Sequence, residues 1–183
     1  MYYTGIGSRD TPEKFASLIK EIAKSLAQNH YTLRSGGAGG ADSFFEEGAK
    51  LAQGKMEIYL PWSKFNGRNE KEEGYYFTRD SHYEFYKKAK EIAAQFHPAW
   101  DRLKDGSKML HTRNVHQVLG LDVETPSKFV LCYSEANKGK RGDYVGGTGQ
   151  ALRIATHLRI PIFNLAEAPS ILEIWGLDML RTI

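Results

Sequence analysis

Apolar positions along this chain switch between two periods, and each switch marks a change of element. Residues 2–6, "YYTGI", form a short apolar run into "GSRDTP"; Phe15, Leu18, Ile19, Ile22 and Leu26 then recur at helical spacing. Thr11 is the expected N-cap of that helix, with Pro12 at its first position. "YTLRS" at 31–35 predicts a second strand delivered into glycines, and "ADSFFEEGAKLAQ" at 41–53 returns to the helical period. "MEIYL" at 56–60 predicts a third strand ending at Pro61, after which polar and aromatic residues show little periodicity until Ser81. "SHYEFYKKAKEIAAQF" then predicts a helix stopped by Pro98, and "MLHTRNVHQVLG" at 109–120 a helix closed by Gly120. The near-continuous apolar run "SKFVLCYS" at 127–134 suits a central parallel strand. A basic loop, "EANKGKRGDYVGGTG", leads into a helix starting near Gln150, followed by a strand at 160–165 and a last helix in "PSILEIWGLDML". Strands alternating with helices predict an α/β fold: an open, doubly wound, mostly parallel sheet with helices on both faces.

At 183 residues, the chain fits one domain, 1–183, with an excursion or lid at about 62–107 that carries Trp62, Tyr75, Tyr76, Phe77 and Trp100. Those rings could cover a site or stack bases; packing on one another is the plainer expectation. Composition is that of a globular protein, 41% hydrophobic and 26% charged, without an apolar run long enough to span a membrane. No basic-then-apolar leader opens it, so a cytoplasmic location is expected. The lone Cys132 lies in an apolar run and is expected to pack as a small buried hydrophobe. A net charge of +3 suits phosphate-bearing ligands but is far below the charge density of a dedicated nucleic-acid binder.

The candidate chemistry lies in three glycine-containing turns. "GIGSRD" offers Gly7, Ser8 and Arg9; "SGGAGGAD" offers Ser35, Gly36, Gly37, Ala38 and Gly39; "VGGTGQ" offers Gly146, Gly147, Thr148 and Gln150. Each follows a strand and precedes a helix, the arrangement in which backbone amides and hydroxyls can hold a phosphate at a helix N-terminus. Arg9 could add a bidentate contact, and Arg113 beside Asn114 could grip a phosphate or a base edge. No Gly-Lys-Ser/Thr follows the glycines and the first turn lacks the third glycine of the dinucleotide fingerprint, so ATP hydrolysis and nicotinamide chemistry are not expected. No cofactor is expected. His97, His111 and His116 lack the spacing of a zinc helix, so no metal is expected either.

If the chain is an enzyme, breaking a bond from sugar to base requires a carboxylate near the anomeric carbon. Asp42, Glu46 and Glu47 are the carboxylates beyond the second turn, and Asp42, Glu47 and Arg113 are the catalytic candidates. Asp42 could equally serve as a helix cap.

"GSRDTP", "SGGAGGAD", "HTRNVHQVLGLD" and "GGTGQALRIATHLRIPIFNL" occur in the order found in DNA-processing proteins of the DprA/Smf type, which this chain resembles over most of its length, least at 62–107. That group lies in a Rossmann-like nucleotide-binding superfamily that includes the Lonely Guy phosphoribohydrolases. The resemblance implies a Rossmann-like domain that binds single-stranded DNA or a nucleotide, with Arg9, Ser35, Gly36, Gly37, Arg113 and Asn114 lining the site and a homodimer as the expected assembly. The Lonely Guy branch implies instead a hydrolase that cleaves the N-glycosidic bond of a nucleoside monophosphate. Its glutamate, however, would fall where this sequence has Arg153 or Ile154. A sensor of a nucleotide-derived signal is the third expectation.

Overall fold

Tyr3 and Ile6 leave the first strand toward opposite faces, and the sheet accordingly carries an apolar core on each side. The computed structural model describes residues 1–69, 71–135, 144 and 146–167. Within them lie strands β1 (Tyr2–Gly7), β2 (Thr32–Ser35), β3 (Met56–Tyr59), β4 (Tyr75–Tyr76), β5 (Val130–Tyr133) and β6 (Ile162–Asn164). The helices are α1 (Ala16–Gln28), α2 (Ala41–Leu51), α3 (Thr78–Ser81), α4 (Tyr83–Gln95), α5 (Asp105–Leu119) and α6 (Gly146–His157).

All five strand pairings are parallel, in the order β4-β3-β2-β1-β5-β6. The chain builds outward from β1 to β4 and then returns to β1's other edge, where Thr4 to Gly7 run beside Val130 to Tyr133. The sheet therefore changes direction between β1 and β5, the position at which a crevice opens beyond the strand ends in doubly wound folds. Helices α1 and α2 pack together on one face, where Ile19, Leu33 and Phe45 are fully buried. On the other face α4, α5 and α6 cover Ile6, Val115, Val130 and Ile154. Cys132 is fully buried in that second core, and burial pushes its thiol up to about 12.

Several elements differ from the sequence expectation. The segment at 62–80 contributes an edge strand, β4, two residues long and too short to show a period. Past it, α4 covers the second face of the sheet. Thr11 does not cap α1: its hydroxyl donates to the Ser8 carbonyl at 2.7 Å, and a 3-10 turn at Glu13–Phe15 precedes the helix. Helix α5 starts at Asp105, one turn earlier than its apolar residues indicate, and α6 starts at Gly146, so the third glycine turn is itself helical. The last expected helix and residues 136–143 of the basic loop lie outside the described residues.

Candidate functional site

Three strand ends and two helices enclose one cavity of about 480 Å³ at the change of strand direction. Its walls are residues 6–10 at and beyond the end of β1, Ala38 and Asp42 after β2, and Ser134 and Glu135 after β5. They are completed by Ser107, Leu110, His111, Arg113, Asn114 and Gln117 from α5 and by Gly146, Gly147 and Thr148 from the first turn of α6.

Asp42, 3% exposed, ties the first two turns together. Its Oδ1 accepts the Gly7 amide at 3.1 Å, and its Oδ2 accepts the Ala38 amide at 3.3 Å and Arg113 Nη1 at 3.4 Å. Burial raises the carboxyl above its ordinary range, opposed by Arg113 and the two amides, and burial likewise lowers the Arg113 guanidinium. Both oxygens are thus occupied by the protein, and Asp42 holds the turns in place instead of standing free for a reacting group.

Glycines in the second turn have an internal use as well. A methyl group added at Gly36 would overlap the Arg113 guanidinium, so only glycine lets that side chain lie against the backbone. Gly40 has φ +70°, and a side chain there would collide with the Ser8 carbonyl, which accepts the Ala41 amide at 3.2 Å. The freedom anticipated for a phosphate cradle is spent on docking Arg113 and the first turn. The amides follow the same pattern. Gly7 and Ala38 donate to Asp42, and Ser8 to the Tyr133 carbonyl at 2.9 Å; with the Gln117 amide oriented so that its oxygen faces the surrounding donors and its nitrogen faces Asn114 Oδ1, Gly36 donates to Gln117 Oε1 at 2.9 Å. These four amides are not offered to a ligand, a correction to the expectation from the sequence.

The α5 wall is a continuous chain of amides. Gln150, fully buried, donates from Nε2 to the Ala93 carbonyl at 3.0 Å; its Oε1 faces His111 Nδ1 at 2.8 Å and Asn114 Nδ2 at 3.2 Å. Asn114 Nδ2 also donates to the Gly147 carbonyl at 3.1 Å, fixing the start of α6 against α5. Gln117 Nε2 donates to Asn114 Oδ1 at 3.0 Å, while its Oε1 also accepts Arg113 Nη1 at 3.1 Å.

The candidate residues thus separate into two groups. Gly7, Ser8, Arg9, Ala38, Asp42, Arg113, Asn114, Gly146, Gly147 and Thr148 line the cavity; Ser35, Gly36, Gly37, Gly39, Glu47 and Gln150 do not. Glu47 is half exposed and pairs with Lys20 at 2.7 Å, off the cavity, so it is a surface carboxylate and not a catalytic candidate. Glu46 is buried beside it but turned to the 62–69 segment, accepting Arg68 Nε at 2.6 Å and the Tyr75 hydroxyl at 2.6 Å. None of Trp62, Tyr75, Tyr76, Phe77 and Trp100 lines the cavity; of the described residues in 62–107 only Ser107 does. Sequence reasoning missed Ser107, Leu110, His111 and Gln117 as lining. Their spacing of three and four, continuous with Asn114, was the available signal.

The charged side chains on the cavity wall are of both signs, with Arg113 paired to Asp42. The first turn of α6 turns its dipole inward, and Arg9 and Arg113 add two cations, while Asp10 and Glu135 sit on the wall. No group of three or more metal-ligating side chains gathers among the described residues, and none of their helices is long and apolar enough to cross a membrane.

No family model matches the chain, and no curated protein matches it. Among solved structures it is similar to DNA processing protein A from Helicobacter pylori, at 18% identity and a TM-score of 0.51, over 90% of this chain and 64% of that chain. This chain therefore spans less than two thirds of that protein. At such identity the likeness is one of fold: the chain is an α/β, Rossmann-like doubly wound sheet and shares that fold with the Helicobacter pylori protein.

Proposed function

We propose that the cavity binds a nucleotide, as one unit of a single DNA strand or free, with its phosphate against the first turn of α6 and Arg9. The observation that carries this reading is the convergence of that helix terminus, Arg9 and Arg113 on one cavity where the strand order reverses. The Helicobacter pylori DNA processing protein A, which shares the fold, binds single-stranded DNA, and this supports the strand as the physiological form of the ligand. The amides of the first turn of α6 are the ones this reading assigns to phosphate, since those of Gly7, Ser8, Gly36 and Ala38 are taken.

Binding without cleavage is favoured by the state of the carboxylates. Asp42 has both oxygens engaged and Glu47 lies outside the cavity. The test is fluorescence anisotropy with a single-stranded oligonucleotide and with nucleoside monophosphates over a range of salt concentrations. Affinity for the strand should fall steeply with salt as phosphate contacts release counterions, and Arg9→Ala should flatten that slope by about one ion. Strand affinity independent of both salt and Arg9 would refute it. Release of free base from a nucleoside monophosphate, lost in Asp42→Asn, would establish the hydrolase instead.

A further inference from the structure

His111 is the one member of the α5 amide chain whose second polar atom has no partner among the described residues. Asn114 spends its amide hydrogens on Gly147 and Gln150 and its oxygen on Gln117; Gln117 spends its own on Asn114, Gly36 and Arg113. His111 lines the cavity, and only its Nδ1 is held, by Gln150 Oε1 at 2.8 Å.

The proton on that ring is located by elementary bonding. Gln150 Nε2 lies 3.0 Å from the Ala93 carbonyl, an acceptor and nothing else, so this end of the amide must be the NH₂ group. The other end is therefore a carbonyl oxygen with no hydrogen to give, and His111 Nδ1 must carry the proton that joins them. In a neutral imidazole the remaining nitrogen, Nε2, then holds a lone pair. This Nδ1–H form is the minor tautomer of free imidazole side chains, so the buried glutamine imposes it.

The surroundings keep the ring neutral. Burial lowers the His111 imidazole, opposed by the bond to Gln150. His97 lies 4.4 Å away from ring to ring, and Arg153 and Arg113 also disfavour a further positive charge, while Asp10 and Glu135 lie elsewhere on the cavity wall. His97 accepts the Ala99 amide at its Nδ1, at 3.2 Å.

We propose that His111 Nε2 is a hydrogen-bond acceptor that selects ligands by a neutral donor on the nucleoside, an exocyclic amino group or a sugar hydroxyl. This rests on the nucleotide reading above. A phosphate brings only acceptors to a cavity, so a neutral imidazole presenting a lone pair has no use for it. The donors on the α6 and β1 side serve the phosphate, and the α5 side reads the nucleoside. Gln150 is then a positioning residue, acting through the tautomer it imposes.

Two measurements on the full chain test this. Long-range ¹H–¹⁵N NMR of the imidazole nitrogens should find the Nδ1–H tautomer at His111, reverting toward Nε2–H in Gln150→Met; a wild-type ring protonated at Nε2 alone overturns the inference whatever binds. Affinities are then compared for adenosine 5′-monophosphate, the purine analogue lacking the amino group, and the 2′-deoxy and 3′-deoxy forms. One deletion should weaken binding about fivefold in the wild type and have no effect in His111→Phe, identifying amino group or hydroxyl as the donor that is read. Equal affinity across the series overturns the inference and leaves the nucleotide reading standing. Failure of every nucleotide and oligonucleotide to bind overturns both.

Discussion

Two buried arginines occupy opposite ends of this sheet's chemistry. Arg34, 2% exposed on β2, is saturated: Nε donates to Glu57 at 2.7 Å, Nη1 donates to the Thr125 carbonyl, and the guanidinium stacks on Tyr2 at 3.8 Å. Glu57 is completed by the Tyr59 hydroxyl at 2.7 Å. Arg113, 7% exposed on α5, reaches Asp42 only at 3.4 Å, shares that same nitrogen with Gln117, and leaves Nε buried without a partner among the described residues. Buried donors are ordinarily satisfied, because an unmade hydrogen bond carries its full desolvation penalty. A saturated arginine is part of the scaffold. An undersatisfied one beside a cavity has capacity left for a ligand, and the glycine at 36 exists to admit it. The contrast separates stability from binding.

Breaking Arg34 should have the largest effect. Arg34→Met strands Glu57 and should lower stability by about 3–5 kcal/mol in chemical denaturation, with nucleotide affinity of the folded fraction unchanged. Loss of affinity at full stability would invert the comparison.

Next is the proton linkage of the dry region around Arg34. His116, fully buried, stacks on Tyr59 at 5.3 Å, and burial pushes its imidazole down to about 4. The unfolded ring takes a proton as pH falls through about 6.5, whereas the folded ring does not until about 4. Stability should therefore decline on acidification across that window, by about 3 kcal/mol from this group. His116→Phe should remove that share of the slope in denaturant titrations at a series of pH values. An unchanged slope would show that the site is wetter than the Arg34 region requires.

The smallest effect on stability should come from Gly36→Ala, which evicts the Arg113 guanidinium from its place on the backbone. Overpacking of this kind should lower stability by about 1–3 kcal/mol while weakening nucleotide binding about tenfold or more. Unaltered binding would mean that the position of Arg113 is immaterial to the cavity.

Much of this fold was legible from periodicity. Strands β1, β2, β3, β5 and β6 and helices α1 and α2 lie where short apolar runs and 3.6-residue repeats put them, because burial on one stripe or two faces leaves that trace. The departures occur where no such trace exists. β4 is a pair of tyrosines recruited by an existing edge, and the first turn of α6 is "GGTG", a sequence with poor helix propensity held by the bond from Asn114 to Gly147. Of the site, Arg9, Arg113, Asn114 and Asp42 could be named from the chain, whereas the part played by His111 could not. It depends on Gln150, thirty-nine residues away, and on the Ala93 carbonyl.

The sequence by itself determined the alternation of strands and helices, and with it a doubly wound sheet whose loops gather at one end. Only the tertiary structure decided what the glycines are for and which carboxylate faces inward. Which amides are already spent, and which partner each polar side chain of the α5 wall meets, were settled there too. The reason is physical: burial periodicity is a local property written every two or four residues. The partner of a hydrogen bond is fixed only when distant segments meet, and in this site nearly every polar atom takes its role from such a partner.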